Sequence, residues 1–594
     1  MEEKIVVYDG KTKFSPFAGD ETITGFTVAD GVTEIGEDAF KGCKGLKSLE
    51  GLRSTGVTTI GKGAFEYCEG LTSLEGLPTG LTKISNGTFK DCTGLTSLEG
   101  LPAGLKEVGE SVPTSDDEES DEKESDEEES DEEELDGVFK GCKGLTSLEG
   151  LRFTGVTKIG YETFKGCEGL KSLEGLPTGL REIGEYAFKG CKGLKSLEGL
   201  PTGLMEIGEG AFYECKGLKS LEGLRSTGVT VIGYETFDEC NGLTSLEGLP
   251  TGLREICGSA FGGCTGLKSL EGLPTGLTEI GSGAFGGCKG LTSLEGLRST
   301  GVTKIGKEAF WGCEGLKSLE GLPTGLTEIG EGAFKGSTGL TSLEGLCSTG
   351  VTKIGYETFK GCEGLKSLEG LPTGLTEIGE YAFKGCKGLT SLEGLRSTKV
   401  TKIGEGAFGR CTGLTSLDGL PTGVTKIGSG AFDECTGLTS LEGLPTGLFE
   451  IGGYVFDECK GLTSLVGLPP DLTLPQDTFN QCKPLSVMQG LEESQDPSPD
   501  FFKKQFSDYP IHFKLMSSSL TIEELKTLIQ PLRTEVLFHQ ESASTPPFTP
   551  LHFLCSNRNH DLLQQAVPLL ISINQSWTSK KEVARLYTPL HFAR

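Results

Sequence analysis

The sequence predicts a repeat solenoid of short parallel strands and single helical turns, mostly β, followed by a smaller α-helical repeat region. Three observations predict it. A phenylalanine recurs at positions 40, 65, 89, 139, 164, 188, 212, 237, 261, 285, 310, 334, 359, 383, 408, 432, 456 and 479, at spacings of 24 or 25 residues apart from one gap of 50 and a final 23. Glycine supplies 92 of 594 residues, about double the usual share of roughly 7%, without a collagen period, so the fold must contain many tight turns. Near the C-terminus a second period of 40 and 39 residues begins.

One unit reads from Gly374 through LTEIGEYAFKGCKGLTSLEGL to Arg396. Leu375-Thr376-Glu377-Ile378 reads as a short strand with Leu375 and Ile378 inward. Glu380 to Phe383 reads as one turn of α- or 3₁₀-helix burying Ala382 and Phe383. Leu389 to Leu392 reads as a second short strand. The 24-residue units carry a Leu-Pro-Thr-Gly-Leu turn and the 25-residue units Leu-Arg-Ser-Thr-Gly-Val. No unit can bury its Leu, Ile and Phe alone, so neighbouring coils must stack into one continuous core.

The Ile-Gly-x-x-Ala-Phe-x-x-Cys-x-x-Leu-x-x-Leu pattern resembles the BspA-like leucine-rich repeats, which are also found in bacterial surface antigens. The resemblance covers about residues 30–490, and this chain departs from it by an extra Gly in Leu-Glu-Gly-Leu. It implies a solenoid of 18 units over 31–490, with residues 1–30 as an N-terminal strand cap.

Seventeen of the twenty cysteines stand three residues after the repeat Phe, among them Cys167, Cys191, Cys215, Cys240, Cys264, Cys288, Cys313, Cys362, Cys386 and Cys411; Ser337 replaces one. A disulfide ladder is geometrically conceivable. An odd number and the Ser speak against it. Zinc lacks a Cys-x-x-Cys pair and any solenoid histidine. The favoured reading is a structural ladder of buried thiols, each weakly donating to a neighbouring carbonyl, a role a Ser hydroxyl can fill. Cys257, Cys347 and Cys555 lie outside the ladder, and the first two are expected to be the more exposed.

A row of acids follows the second inner Leu: Glu174, Glu198, Glu222, Glu247, Glu271, Glu295, Glu320, Glu344, Glu369 and Glu393. It reads as a solvated, charged face, alternatively as an acidic track for a basic partner, and least well as a calcium row, because each coil supplies one carboxylate. A second column alternates Lys304, Glu328, Lys353, Glu377 and Lys402, which should attract modestly between coils. Trp311, Phe153, Tyr161, Tyr186, Tyr234, Tyr356 and Tyr381 break the monotony and are candidate partner anchors, or else edge packing.

The 50-residue gap holds an acidic insertion over 114–136. Its composition reads as disordered, and Ser115, Ser125 and Ser130 each have Glu at +3, the pattern of an acidophilic-kinase site. A net charge of −30 argues against a nucleic-acid partner. Gly56 to Gly63 and Gly281 to Gly286 imitate nucleotide-binding loops, but both fall in the repeat register. With no His before residue 512, no metal or cofactor is expected, and the chain reads as a non-enzyme.

Residues 490–500 read as a linker. Beyond it, Thr549-Pro550-Leu551-His552 and Thr588-Pro589-Leu590-His591, with a weaker Tyr509-Pro510-Ile511-His512, resemble the turn of ankyrin repeats. The resemblance implies α-helical ankyrin-like repeats over 501–594, cut short at Arg594, with the histidines in structural roles. Lacking a basic, apolar leader or any membrane span, the chain is expected in the cytoplasm or nucleus, as a monomer. The function expected is a protein-protein interaction scaffold with two binding solenoids. Alternatives are a cell-surface or secreted BspA-like adhesin, and the N-terminal part of a larger regulator.

Overall fold

The structure is a computed structural model and describes residues 4–11, 15–110, 136–463, 465–469, 472–475 and 477–482. The chain divides into two compact units, Met1–Leu365 with Glu369–Leu375, and Lys366–Leu368 with the chain from Thr376 on.

The first unit opens with two parallel strands, β1 (Lys4–Tyr8) and β2 (Ile23–Val28). Each following coil contributes a two-residue strand, such as Glu34–Ile35, Thr59–Ile60, Glu182–Ile183 and Glu255–Ile256, to a parallel ladder. The register is set by the isoleucines: Ile35 faces Ile60, Ile183 faces Ile207, and Ile256 faces Ile280. The strands are short because a buried Ile is followed at once by a corner; at Gly306 a Cβ would lie 2.5 Å from the Gly281 carbonyl carbon of the coil below. In the second unit Glu377–Ile378, Lys402–Ile403, Lys426–Ile427 and Glu450–Ile451 pair in the same parallel fashion.

The segment around the repeat Phe makes the single turn its sequence predicts, but no regular helix grows from it. Asp38 and Gly42 flank Phe40 with φ of 52° and 73°, and Tyr381 stands before Phe383 at 54°. A left-handed residue two places before the Phe stops a helix from propagating. Instead the N–H groups alternate. Lys41 and Cys43 donate within the coil, to Asp38 and Phe40, while Asp38, Phe40 and Gly42 donate to Lys62, Ala64 and Glu66 of the next coil. Every donor is thus used without either regular structure.

The expected second strand is also absent among the described residues. At Leu291 to Leu294 single bonds replace a ladder: the Thr292 N–H and hydroxyl both reach the Lys268 carbonyl, at 3.0 and 3.1 Å. The extra residue of the 25-residue units is taken up in a 3₁₀ turn, as at Glu50–Leu52, Leu224–Ser226 and Leu297–Ser299.

The expected α-helical repeats behind the solenoid are a correction. Every described element is a strand, a turn or a 3₁₀ turn. Residues 501–594, including Thr549 to His552 and Thr588 to His591, lie outside the described residues. Thr-Pro-Leu-His is turn chemistry, and a turn tetrapeptide at spacings of 40 and 39 does not by itself specify a helix pair.

The core is a stack of rings. Phe40 and Phe65 lie 5.4 Å apart with planes 1° from parallel, and the stack continues coil by coil to Phe359. A second stack runs from Phe383 to Phe479. Phe17 and Phe26 lie against Phe40 at 5.3 and 4.4 Å and close the N-terminal end of the first stack.

Candidate functional site

The thiol ladder lies inside the coils. Ladder thiols donate to the carbonyl of the repeat Phe one coil earlier: Cys167 to Phe139, Cys191 to Phe164, Cys288 to Phe261 and Cys362 to Phe334, all at 3.2 Å. Ser337 makes the same bond to Phe310 at 3.2 Å. Burial pushes these thiols up, Cys288, Cys362 and Cys411 to about 12. They are buried away from solvent. Cys347 is exposed. Cys257 is half-buried, and its thiol, 3.5 Å from the Glu255 carboxylate, is pushed up to about 11 by burial and by that carboxylate.

The acidic row is a surface feature. Glu174, Glu198, Glu247, Glu271, Glu320, Glu344 and Glu369 are exposed, and backbone bonds such as Leu173 N–H to the Glu198 carbonyl hold them one coil apart. The 25-residue units interrupt the row with their own arginine: Glu222 meets Arg225 at 3.4 Å, Glu295 meets Arg298 at 2.9 Å, and in the second unit Glu393 meets Arg396 at 2.7 Å. Sequence reading had missed these pairs, although Leu-Glu-Gly-Leu-Arg spells them out.

A second charged feature escaped the sequence altogether. Lys41, Glu66, Lys90, Asp136, Lys140, Glu162 and Lys165 alternate in sign across successive coils. Lys90 lies 2.5 Å and Lys140 2.8 Å from Asp136. Burial raises the Asp136 carboxyl, but its hydrogen bonds to Lys140 and Lys90 outweigh that and hold it below the usual range. The three serines Ser115, Ser125 and Ser130 lie outside the described residues.

Of the aromatic candidates, Phe153, Tyr234, Trp311 and Tyr356 are exposed. Tyr161 and Tyr186 pack edge-on at 6.2 Å, and Tyr186 donates its hydroxyl to Glu209. In the second unit Tyr381 donates to Glu405 at 2.6 Å. Met205 and Val231 are exposed as well, and the sequence reading did not single them out. Among the described residues no three His, Cys, Asp or Glu side chains gather to hold a metal ion. No helix there is long and apolar enough to cross a membrane.

Stacked coils with an inward Leu, Ile and Phe skeleton and outward charged columns define a leucine-rich-repeat binding solenoid. The model for the BspA type leucine rich repeat region matches residues 12–113, 135–248, 230–366 and 352–486, and the chain belongs to that family. Its members are non-catalytic binding scaffolds, and this protein is not an enzyme.

Among solved structures the chain is similar to a leucine-rich repeat protein from Bacteroides ovatus, at 27% identity and a TM-score of 0.45, covering 68% of this chain and 81% of that one. It is also similar to a leucine rich cell surface protein from Faecalibacterium prausnitzii, at 25% identity and a TM-score of 0.34, over 52% and 83% of the two chains. A leucine rich repeat protein of T. pallidum matches at 30% identity and a TM-score of 0.24, over 32% and 72%. No curated protein sequence matches. The family match ends at residue 486 and gives no ankyrin-like repeat, so the reading of a scaffold with two solenoids is corrected to a single leucine-rich one.

Proposed function

We propose that this protein is a non-catalytic adhesin of the BspA type, displayed at a cell surface or secreted, that binds other proteins along its charged coils. The observation that carries this reading is the family match over almost the whole solenoid, residues 12–486. In place of the cytoplasmic or nuclear expectation, the reading puts the acidic row where it meets partners outside the cell. The chain works as a monomer in this reading. Glu174, Glu198, Glu247 and Glu271 favour basic proteins as partners, and a net charge of −30 disfavours nucleic acid. Ser115, Ser125 and Ser130 are assigned as acceptors for an acidophilic kinase, a modification that deepens the charge.

Protease treatment of intact cells that make the chain tests this reading, with the protein followed by antibody and its monomeric state by light scattering. Loss of the full-length band before lysis supports display at the surface, and recovery from the medium supports secretion. Full protection until lysis would sink the adhesin reading.

A further inference from the structure

The coils are near copies of one another, so a departure stands out against its own column. The residue before the inward Ile is Glu or Lys in nearly every described strand; Val231 is the one apolar member of that column. Elsewhere in the first unit lysines neutralise it: Lys83 reaches Glu107 at 3.7 Å, Lys158 pairs with Glu182, and Lys304 reaches Glu328 at 3.2 Å. From Glu182 to Glu279 the column holds no lysine, and Glu206, Glu255 and Glu279 have no ion-pair partner among the described residues.

The strand ladder opens at the same place. Below it, the N–H groups of Met205 and Gly208 donate to the carbonyls of Arg181 and Ile183, at 2.9 and 2.8 Å. Above it, Arg254 and Cys257 donate to Thr230 and Ile232, at 2.8 and 2.9 Å. Between the two, Thr230 and Gly233 make no such bond to Met205 and Ile207, and the strands at Glu206–Ile207 and Val231–Ile232 belong to separate sheets. Thr236 stands in this coil where the coils on either side bury Ala211 and Ala260; its hydroxyl donates to the Gly233 carbonyl at 3.0 Å. Three exposed apolar side chains border the seam: Met205 at 58%, Val231 at 39% and Tyr234 at 60%.

We propose that this seam docks a basic polypeptide segment that carries an apolar side chain between its cations. The proposal rests on the protein-binding reading above and gives it a place and a partner chemistry. The apolar side chain packs on Met205, Val231 and Tyr234, a Met and Tyr pairing of the kind that anchors interfaces. The cations meet Glu206 and Glu255, which stand two coils apart at about 10 Å, roughly three residues of an extended chain. Arg181, whose guanidinium donates to the Gly203 carbonyl at 2.8 Å, and Arg254 border the patch on the side away from Tyr234. They repel cations there and keep the segment on the glutamate column. The Thr230 amide and the Met205 carbonyl, both on exposed residues, are free of each other and can bond the incoming backbone.

The repeat itself supplies variants that preserve the fold. Val231→Lys restores the column's ordinary residue, as at Lys158 and Lys304, and Tyr234→Ser matches Ser282. Phe449→Thr, in the second unit, is the control. Peptides are selected on the whole chain from a random phage-displayed library, synthesised, and titrated against wild type and the three variants. The proposal expects peptides with an apolar residue between two basic ones. Their affinity should fall about tenfold or more with Val231→Lys and with Tyr234→Ser, and stay unchanged with Phe449→Thr. Selected peptides that bind those two variants as well as wild type, or that lack cations, overturn the seam proposal and leave the protein-binding reading standing. A library that yields no binder overturns both.

Discussion

Phe89 and Phe139 stand 50 positions apart in sequence, yet their rings stack at 5.6 Å with planes 6° from parallel, the geometry of any two neighbouring coils. The Cys142 thiol donates to the Phe89 carbonyl across the same interval, at 3.1 Å. The insertion therefore enters and leaves at one corner, between Gly109 and Asp136, without disturbing the core.

Joining Gly109 directly to Asp136 leaves a unit of ordinary 24-residue length. Excision of 110–135 is expected to preserve the fold and to shift stability by less than about 1 kcal/mol, because the cost of closing a loop grows slowly with its length. Thermal unfolding followed by circular dichroism checks it. A collapse of the transition would mean that the insertion contributes contacts to the solenoid.

Asp136 is a different matter, although it borders the same segment. Asp136→Asn leaves Lys90 and Lys140 half-buried without their shared partner, and is expected to cost about 1–3 kcal/mol at pH 7. The Asp136 carboxyl is held below its ordinary value in the folded state, so its stabilisation is fully present above the unfolded value near 4 and disappears as pH falls below it. The gap between wild type and variant in urea titrations should close below pH 4. A gap that stays constant down to pH 3 would remove the ion pairs as its cause.

The cysteines should sort by accessibility. Alkylation of the native protein at pH 8, read by mass spectrometry, is expected at Cys347 first, then at Cys257, and last at the ladder thiols, whose burial keeps them protonated. Cys313→Ser should cost less than about 1 kcal/mol, since Ser337 already makes the equivalent bond one coil on, whereas Cys313→Val removes the donor to the Phe285 carbonyl and should cost about 1–2 kcal/mol. Equal costs would show that volume alone matters at this position.

Asp238 moves in the opposite sense to Asp136. Burial pushes its carboxyl up to about 6 against the bond it accepts from the Glu239 N–H, with Glu235, Glu239 and Glu214 adding to the rise. A carboxyl raised in the folded state destabilises the fold as pH climbs from about 4 to 6, and the cost is fully present above that. Asp238→Asn keeps the backbone bond and is expected to gain about 1–2 kcal/mol at pH 7 and nothing at pH 4. Stability measured at the two pH values decides it; a variant weaker at both would show that the charge is compensated.

Periodicity made the solenoid legible, because Phe40, Cys43 and Ile35 have to recur for any coil to be buried. It did not specify local conformation. Glu380 to Phe383 reads as a helical turn, but the bonds that stop it from propagating run to the next coil, and a single unit cannot display them. The alternating lysines and acids around Asp136 were hidden for the same reason: Lys90 and Lys140 become neighbours only after stacking. The ankyrin-like reading of Thr549 to His552 failed in the opposite direction, by giving a tetrapeptide that encodes a turn the weight of a whole repeat. The opened seam at Val231 had a visible signal, one apolar residue in a charged column, and the uniformity of the copies drew attention away from it.

The Phe segment of each coil sends its N–H groups forward, from Asp38, Phe40 and Gly42 to Lys62, Ala64 and Glu66, and receives in return at its own carbonyls. A run of such coils therefore has a sense, like an arrow. Its N-terminal edge carries spare carbonyls, as at Lys41, which Gly19 satisfies with a 2.7 Å bond, and its C-terminal edge carries spare donors. A coil can be copied into the array anywhere, but only facing one way, and at this corner the two ends need caps of opposite chemistry.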